Sequence, residues 1–137
     1  MRYMLDTNIC IYLLDAHPPQ VVQRFKAAAL GQVVMSVVTY AELCHGVQRC
    51  VGPDRDLAAK SLARLILRVP VLAFESRAAE SYGVLAIAVR DRRRHRDAMD
   101  RLIASHAISL GLTLVTNNEA DFQGYPGLMV ENWVNAP

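Results

Sequence analysis

The stretch Arg2-Tyr3-Met4-Leu5-Asp6-Thr7-Asn8 lies at the start of the chain and carries the pattern that decides the fold. A short apolar run is followed directly by an acid and then by two residues that favour turns and helix N-termini. The pattern predicts a short buried strand over Arg2 to Asp6 and a helix that begins near Ile9. Asp6 would then lie at the carboxyl end of a strand.

The rest of the chain repeats this alternation of strand and helix, with no internal repeat and no convincing linker. Such alternation predicts an α/β fold with a mostly parallel sheet covered by helices. Helices are predicted over residues 9–14, 21–30, 40–50, 56–67, 76–90 and 98–110, and strands over residues 33–37, 69–73, 113–115 and 128–130.

Length and composition indicate a single domain over residues 1–137. The chain has 137 residues, enough to bury roughly 68% of its unfolded surface. Charged residues interrupt every apolar run before the ~18 residues that a membrane span needs, so a soluble protein without membrane attachment is expected. No secretory signal pattern is visible, and the three cysteines Cys10, Cys44 and Cys50 are odd in number. A cytoplasmic location without a disulfide framework is therefore predicted.

Four acids stand where an apolar run ends or a helix begins: Asp6, Glu42, Asp100 and Asp121. In an open α/β sheet the carboxyl ends of the strands and the starts of the following helices face one crevice. Two carboxylates about 4 Å apart repel by on the order of 4 kcal/mol at an effective dielectric of 20, so such a cluster needs protons or cations. Oxygen-only ligands suit Mg²⁺ or Mn²⁺. The chemistry expected of this set is metal-assisted phosphodiester hydrolysis.

Each acid also has a plainer interpretation. Asp6 could serve only as a turn or N-cap residue. Thr39-Tyr40-Ala41-Glu42 matches a capping box, in which the glutamate bonds back to the start of its own helix. Asp100 could be a first-turn acid favoured by the helix dipole, with Asp97 competing for either role, and Asp121 could be a solvated loop acid. His106 is expected to be a packed histidine rather than a general base.

Four motifs in order resemble those of PIN domains, and in particular the VapC toxins of type II toxin–antitoxin modules. They are Met4-Leu5-Asp6-Thr7-Asn8, Ser36-Val37-Val38-Thr39-Tyr40-Ala41-Glu42-Leu43, Asp100-Arg101-Leu102-Ile103-Ala104-Ser105-His106-Ala107, and Val115-Thr116-Asn117-Asn118 with Asp121-Phe122. The likeness runs from Arg2 to about Trp133. It implies a PIN-like three-layer α/β/α sandwich, a Mg²⁺-dependent endoribonuclease activity, a VapB antitoxin partner and a homodimer.

The resemblance also implies roles for single residues. Asp6, Glu42 and Asp100 match the family's three most regular acidic positions, with Asp6 and Asp100 as expected metal ligands. The fourth position is open between Asp121, which a sub-branch with the Thr-Asn-Asn pattern offers, and Asn118. Hydrogen-bonding support for the carboxylates is expected from Thr7, Asn8, Thr116 and Asn118.

The most basic segment, Arg90 to Arg96, directly precedes Asp97 and Asp100. A run of arginines is ordinarily a solvated loop. Beside an acidic pocket that itself repels phosphate, Arg92, Arg93, Arg94 and Arg96 are predicted to bind the RNA backbone and unpaired bases. The branch that this chain resembles is associated with cutting transfer RNA, including initiator tRNA in its anticodon region. The alternative is a non-catalytic RNA-binding or regulatory PIN module, which needs the basic segment but not a full set of acids.

Overall fold

The computed structural model describes residues 1–91 and 98–135. Strands and helices alternate through these residues. The strands are β1 (Tyr3–Leu5), β2 (Val33–Ser36), β3 (Val71–Leu72), β4 (Thr113–Val115) and β5 (Met129–Glu131). The helices are α1 (Thr7–Asp15), α2 (Pro19–Ala27), α3 (Val37–Arg49), α4 (Pro53–Arg68), α5 (Ser76–Ala88), α6 (Ala98–Leu110) and α7 (Glu119–Phe122).

The strands form one sheet in the order β3-β2-β1-β4-β5, and every neighbouring pair is parallel. β1 lies in the centre, where Leu5 is level with Met35 of β2 and with Val115 of β4. The chain builds outward from β1 in one direction through β2 and β3 and then in the other direction through β4 and β5. The point where the order reverses therefore lies between β1 and β4, which is where ligands bind in sheets of this kind.

Alternating side chains of the strands supply two separate cores, one on each face of the sheet. Leu5 and Met35 belong to the core that α1, α2, α3 and α4 cover. Met4, Val34 and Leu114 point to the other face and pack under α5 and α6. This period-two pattern produces three layers, so the predicted α/β/α sandwich is confirmed.

The difference from the predicted elements that matters most for the position of Glu42 is the start of α3. The helix was expected to begin near Tyr40, but it begins at Val37, directly after β2. The Ser36 hydroxyl accepts a hydrogen bond of 3.1 Å from the Val38 amide, so Ser36 is the N-cap. The capping-box interpretation of Thr39 and Glu42 is therefore wrong, because both residues lie inside the helix.

Other elements also differ from the prediction: α4 begins at Pro53 and not at residue 56, and β3 spans only Val71–Leu72. α2 begins at Pro19 and ends at Ala27, whereas residues 21–30 were predicted; Gly31 has a φ of 88° in the turn that enters β2. Pro19 stands in the first turn, where a missing amide costs nothing. The short helix α7 was not predicted, because four residues are too few to show a helical period.

Within residues 1–91 and 98–135, no helix has the length and apolar character that crossing a membrane requires.

Candidate active site

Asp6 is a buried acid at the carboxyl end of the central strand. It follows β1 directly and is the N-cap of α1, where its carboxylate accepts a hydrogen bond of 3.0 Å from the Ile9 amide. The side chain of Thr116 and the backbone of Asn8 also hydrogen-bond to this carboxylate. Only 6% of the Asp6 surface is exposed. The capping interpretation is thus correct, and the same geometry holds the carboxylate at the reversal point of the sheet.

The burial of Asp6 makes its charge costly. Loss of hydration raises its pKa from 3.8 to about 6, and repulsion from the nearby Glu42 carboxylate adds to this, while the hydrogen bonds from Thr116, Ile9 and Asn8 oppose it. A carboxyl group with such a pKa takes up a proton or a cation more readily than an ordinary aspartate does. Two of the predicted acids therefore lie close enough to influence one another.

Glu42 reaches the site from the second turn of α3. The Thr7 hydroxyl donates a hydrogen bond of 2.5 Å to Oε1 of Glu42, and Thr7 Oγ1 lies 3.4 Å from Oγ1 of the buried Thr39. Thr7, which was predicted to support the carboxylates, therefore hydrogen-bonds directly to one of them, that of Glu42. Thr39 was not predicted as part of the site, because the sequence pattern suggested a helix cap there.

Asp100 lies in the first turn of α6 and is half-buried. The first-turn placement that was one of its two interpretations is therefore correct, and it does not exclude a role as a ligand. Asp97 and the predicted RNA-binding residues Arg92, Arg93, Arg94 and Arg96 lie outside the described residues. Within the part of the chain that the structure describes, no three His, Cys, Asp or Glu side chains are near enough together to bind one metal ion.

The turn after β4 brings further polar groups to this edge of the sheet. Thr116 is fully buried, and its hydroxyl oxygen accepts a hydrogen bond of 3.0 Å from the Asn118 amide. The Asn117 side chain donates to the Tyr12 hydroxyl at 3.2 Å and accepts from Asn132 at 3.3 Å. Tyr12, Asn117 and Asn132 were not foreseen, because residues far apart in sequence form these bonds.

The two candidates for the fourth position differ in their surroundings. The Asn118 side chain is exposed at the start of α7, whereas Asp121 is half-buried within that helix. The Asp121 amide donates to the Asn118 carbonyl at 3.0 Å, so one short helical turn holds both residues. The choice between them stays a prediction.

Comparison with known proteins identifies the family to which this fold belongs. The sequence model of the PIN domain family matches residues 3–128. The chain belongs to the PIN domain family. A relative in Shigella flexneri, named tRNA(fMet)-specific endonuclease VapC, is 35% identical over 133 residues, which cover 97% of this chain and 98% of the relative.

Solved structures agree with this assignment of the PIN domain. VapBC2 from Rickettsia felis, bound to a DNA fragment from its promoter, has a TM-score of 0.86 and 33% identity over 97% of this chain and 99% of the other. VapBC-1 from nontypeable Haemophilus influenzae also has a TM-score of 0.86 and 33% identity, over 98% and 100% of the two chains. The resemblance to VapC proteins drawn from the sequence is confirmed.

The oxygen-rich donors of this PIN domain fit a hard divalent cation. Asp6 and Glu42 offer carboxylates that repel one another, and Thr7 and Thr116 direct hydrogen bonds at them. Mg²⁺ and Mn²⁺ bind through one or two protein carboxylates together with water and phosphate oxygens, so they do not require a closed cage of protein ligands. The chemistry of the donors is therefore compatible with either ion.

Proposed function

We propose that the protein is a Mg²⁺-dependent endoribonuclease toxin of a VapBC toxin–antitoxin module. The observation that carries the proposal is the buried Asp6 carboxyl, with a pKa of about 6 and Glu42 as its neighbour, at the reversal point of a parallel sheet. Clefts with acids perturbed in this way are candidate catalytic sites. The relatives named above and "Ribonuclease VapC2" from Haemophilus influenzae, at 34% identity, support the reaction class.

The proposed site uses residues from four parts of the chain. Asp6 and Asp100 would hold Mg²⁺, with Mn²⁺ as a possible substitute, and Glu42 and Asp121 would complete the acidic set. When bound, the ion would supply positive charge to the phosphodiester and lower the pKa of a water. Thr7 orients Glu42 through its hydrogen bond, and Thr116 and the Asn8 backbone orient Asp6. The backbone amide of Asn118 donates a hydrogen bond to the Thr116 hydroxyl and so stabilises the turn.

The proposed substrate is RNA, and specifically transfer RNA. The name of the Shigella flexneri relative, which contains tRNA(fMet), supports initiator tRNA, with cleavage in the anticodon region as the specific expectation. Arg92, Arg93, Arg94 and Arg96 would contact the RNA backbone next to Asp100 in the chain. Such contacts position the substrate and do not activate water.

The proposed partners are a VapB-type antitoxin and a second copy of the chain. The solved VapBC structures support the antitoxin. Its tail is expected to cover the acids with an Arg or Lys, because a buried cation offsets their repulsion. For the homodimer, α5 offers the exposed apolar side chains of Val84 and Ile87.

Purified protein incubated with total tRNA tests the proposal. We expect cleavage fragments with Mg²⁺ and intact tRNA with a chelator, and mapping of the fragment ends identifies the bond that is cut. Co-expression with a VapB-type antitoxin should suppress growth inhibition. Intact tRNA in every condition, together with harmless expression of the protein alone, would contradict the proposal.

A non-catalytic RNA-binding module is the second candidate. It is favoured by the finding that no three potential metal-binding side chains converge among residues 1–91 and 98–135. Such a module would bind RNA equally well with Mg²⁺ and with chelator and would leave the RNA intact. The tRNA assay, combined with a binding measurement, distinguishes the two functions.

A further inference from the structure

Ser36 and His106 form a buried polar pair that the proposed chemistry does not use. Their exposed fractions are 0% and 2%, and Ser36 Oγ lies 2.8 Å from His106 Nδ1. Ser36 is the last residue of β2 and the N-cap of α3, whereas His106 lies in the middle of α6. The pair therefore links the start of the helix that bears Glu42 directly to the helix that bears Asp100.

The hydrogen bonds around this pair have one consistent direction. The Val38 amide donates to Ser36 Oγ, so the serine hydroxyl can donate its own hydrogen to His106 Nδ1. The His106 ring also hydrogen-bonds to the backbone of Ala73, whose carbonyl is the acceptor. Burial lowers the pKa of His106, which favours the neutral ring. With Nδ1 accepting from the Ser36 hydroxyl, the neutral ring would carry its proton on Nε2.

A directional bond fixes the angle between two helices in a way that apolar contact does not. Buried polar groups lose their hydration and must bond to one another, and hydrogen bonds weaken steeply when their geometry departs from linear. Phe74 packs edge-on against the His106 ring, with ring centroids 5.3 Å apart, and restricts its rotation. The contact between α3 and α6 thus includes one short directional bond between two restrained side chains.

The pair is placed symmetrically with respect to two of the proposed catalytic acids. Glu42 follows Ser36 by six residues, and Asp100 precedes His106 by six residues. At 1.5 Å per residue each acid lies about 9 Å along its helix from the pair. A small rotation of either helix at the pair would therefore displace its acid.

We propose that Ser36 and His106 are positioning residues that hold α3 against α6 and thereby set the separation of Glu42 and Asp100. The effect of this pair on catalysis rests on the proposed function, whereas its effect on the packing of α3 against α6 does not. Groups that hydrogen-bond directly to metal ligands contribute roughly 10- to 100-fold to metal affinity, and a pair that acts through two helices is expected to lie at the lower end of that range.

Four variants and one control test the pair. His106→Leu and Ser36→Ala each remove the bond, and the double variant removes both partners. His106→Asn retains an acceptor near the position of Nδ1 and should restore the bond without the ring. Ser105→Ala is the matched control, because Ser105 is a buried serine of the same helix whose hydroxyl donates to the Arg101 carbonyl one turn earlier.

Three measurements decide the outcome: Mn²⁺ affinity by calorimetry, kcat and KM for tRNA cleavage, and amide hydrogen exchange along α3 by NMR. We expect His106→Leu and Ser36→Ala to lower Mn²⁺ affinity and kcat by about 10-fold or more with KM for RNA unchanged. Exchange at Val38 and in the next turn should accelerate in His106→Leu, which leaves the Ser36 cap in place; Ser36→Ala also removes that cap and accelerates exchange for this reason as well. The double variant should be no worse than Ser36→Ala, which removes both the pair and the cap of α3; His106→Asn should recover most of the loss, and Ser105→Ala should match the unmutated protein.

Effects of His106→Leu equal to those of Ser105→Ala, or fully additive effects in the double variant, would overturn the positioning role. If His106→Leu does not fold, His106→Ala replaces it, and its comparison with His106→Asn decides between the same outcomes. If the unmutated protein neither binds Mn²⁺ nor cleaves RNA, the proposed function fails. Exchange along α3 in His106→Leu, which retains the Ser36 cap, then decides the positioning role alone: faster exchange supports it, and unchanged exchange overturns it.

Discussion

Asp6 combines two tasks that favour different charge states. As the N-cap of α1 it accepts a hydrogen bond from the Ile9 amide, which favours the ionised carboxylate. Its burial and the neighbouring Glu42 favour the protonated form, and burial is the larger effect. A cation bound at this carboxylate would allow both tasks at neutral pH. Stability measurements without metal should therefore expose the conflict.

Asp6→Asn should raise the stability of the metal-free protein at high pH. The folded pKa of about 6 exceeds the ordinary 3.8, so the folded state binds the proton more tightly. The stabilising contribution is complete below the ordinary pKa and is lost as pH rises through 6, a change of about 3 kcal/mol for roughly two pK units. Asparagine keeps the cap without a charge.

Urea unfolding in chelator at pH 4 and at pH 8 checks this expectation. The gain from Asp6→Asn should be large at pH 8 and close to zero at pH 4. Asp15→Asn, an exposed acid at the other end of the same helix, serves as the control. An equal gain at both pH values would show that burial of charge at Asp6 is not the cause.

Thr7 gives a second prediction, because its hydroxyl holds Oε1 of Glu42 at 2.5 Å. Thr7→Val keeps the shape and removes the donor, so tRNA cleavage should fall by roughly 10-fold or more while the melting temperature stays close to that of the unmutated protein. Thr7→Ser retains the hydroxyl and should preserve most of the activity. Equal cleavage by the valine and serine variants would contradict an orienting role for this bond.

The start of α3 is an element boundary that the sequence pattern predicted wrongly. Val37 and Val38 extend an apolar, β-branched run, so the pattern favoured a strand, and the Thr39-Tyr40-Ala41-Glu42 match favoured a cap three residues too late. The Ser36 hydroxyl starts the helix earlier, because it accepts a hydrogen bond from the Val38 amide and so caps α3. That choice of register places Glu42 on the second turn, within reach of Thr7.

The turn between β4 and α7 yields a prediction at the same scale. Asp121→Asn should reduce cleavage by about 10-fold or more, and Asn118→Ala should have little effect, because the Asn118 side chain is exposed and its backbone amide makes the bond to Thr116. Steady-state cleavage of tRNA by both variants is the measurement. The reverse order would assign the fourth position to Asn118, and two negligible effects would leave a site of three acids.

For the whole molecule, the sequence predicted a mostly parallel sheet covered by helices, because the alternation of strands and helices indicates parallel pairing, whereas the order of the strands in the sheet came only from the structure. Met4 and Leu5 point to opposite cores, as a period of two requires. The acids at strand ends followed from the same logic. Contacts such as Asn117 with Tyr12 and Ser36 with His106 could not be predicted, because no local pattern reports a hydrogen bond between residues so distant in sequence.

The charge distribution gives a prediction for RNA binding. The net charge of +2 is too small to attract RNA by itself, so the local run is expected to carry the binding. Replacing Arg92, Arg93, Arg94 and Arg96 with Gln should weaken RNA binding and lower the slope of log affinity against log salt by roughly 0.7 per lost contact. Filter binding across a salt series measures both quantities. An unchanged slope would indicate a solvated run and assign the RNA to another surface.

The central claim is that Asp6, Glu42 and Asp100 together form an RNA-cleaving centre. Single-turnover cleavage of tRNA in Mg²⁺ by Asp6→Asn, Glu42→Gln and Asp100→Asn tests it most directly, with melting temperature recorded for each variant and Asp15→Asn as the control. Each of the three variants should remain folded and cleave at least about 100-fold more slowly than the unmutated protein. This loss is larger than the one expected when a residue that only hydrogen-bonds to a metal ligand is replaced. Cleavage at the unmutated rate by any one of these folded variants would contradict the claim for that residue.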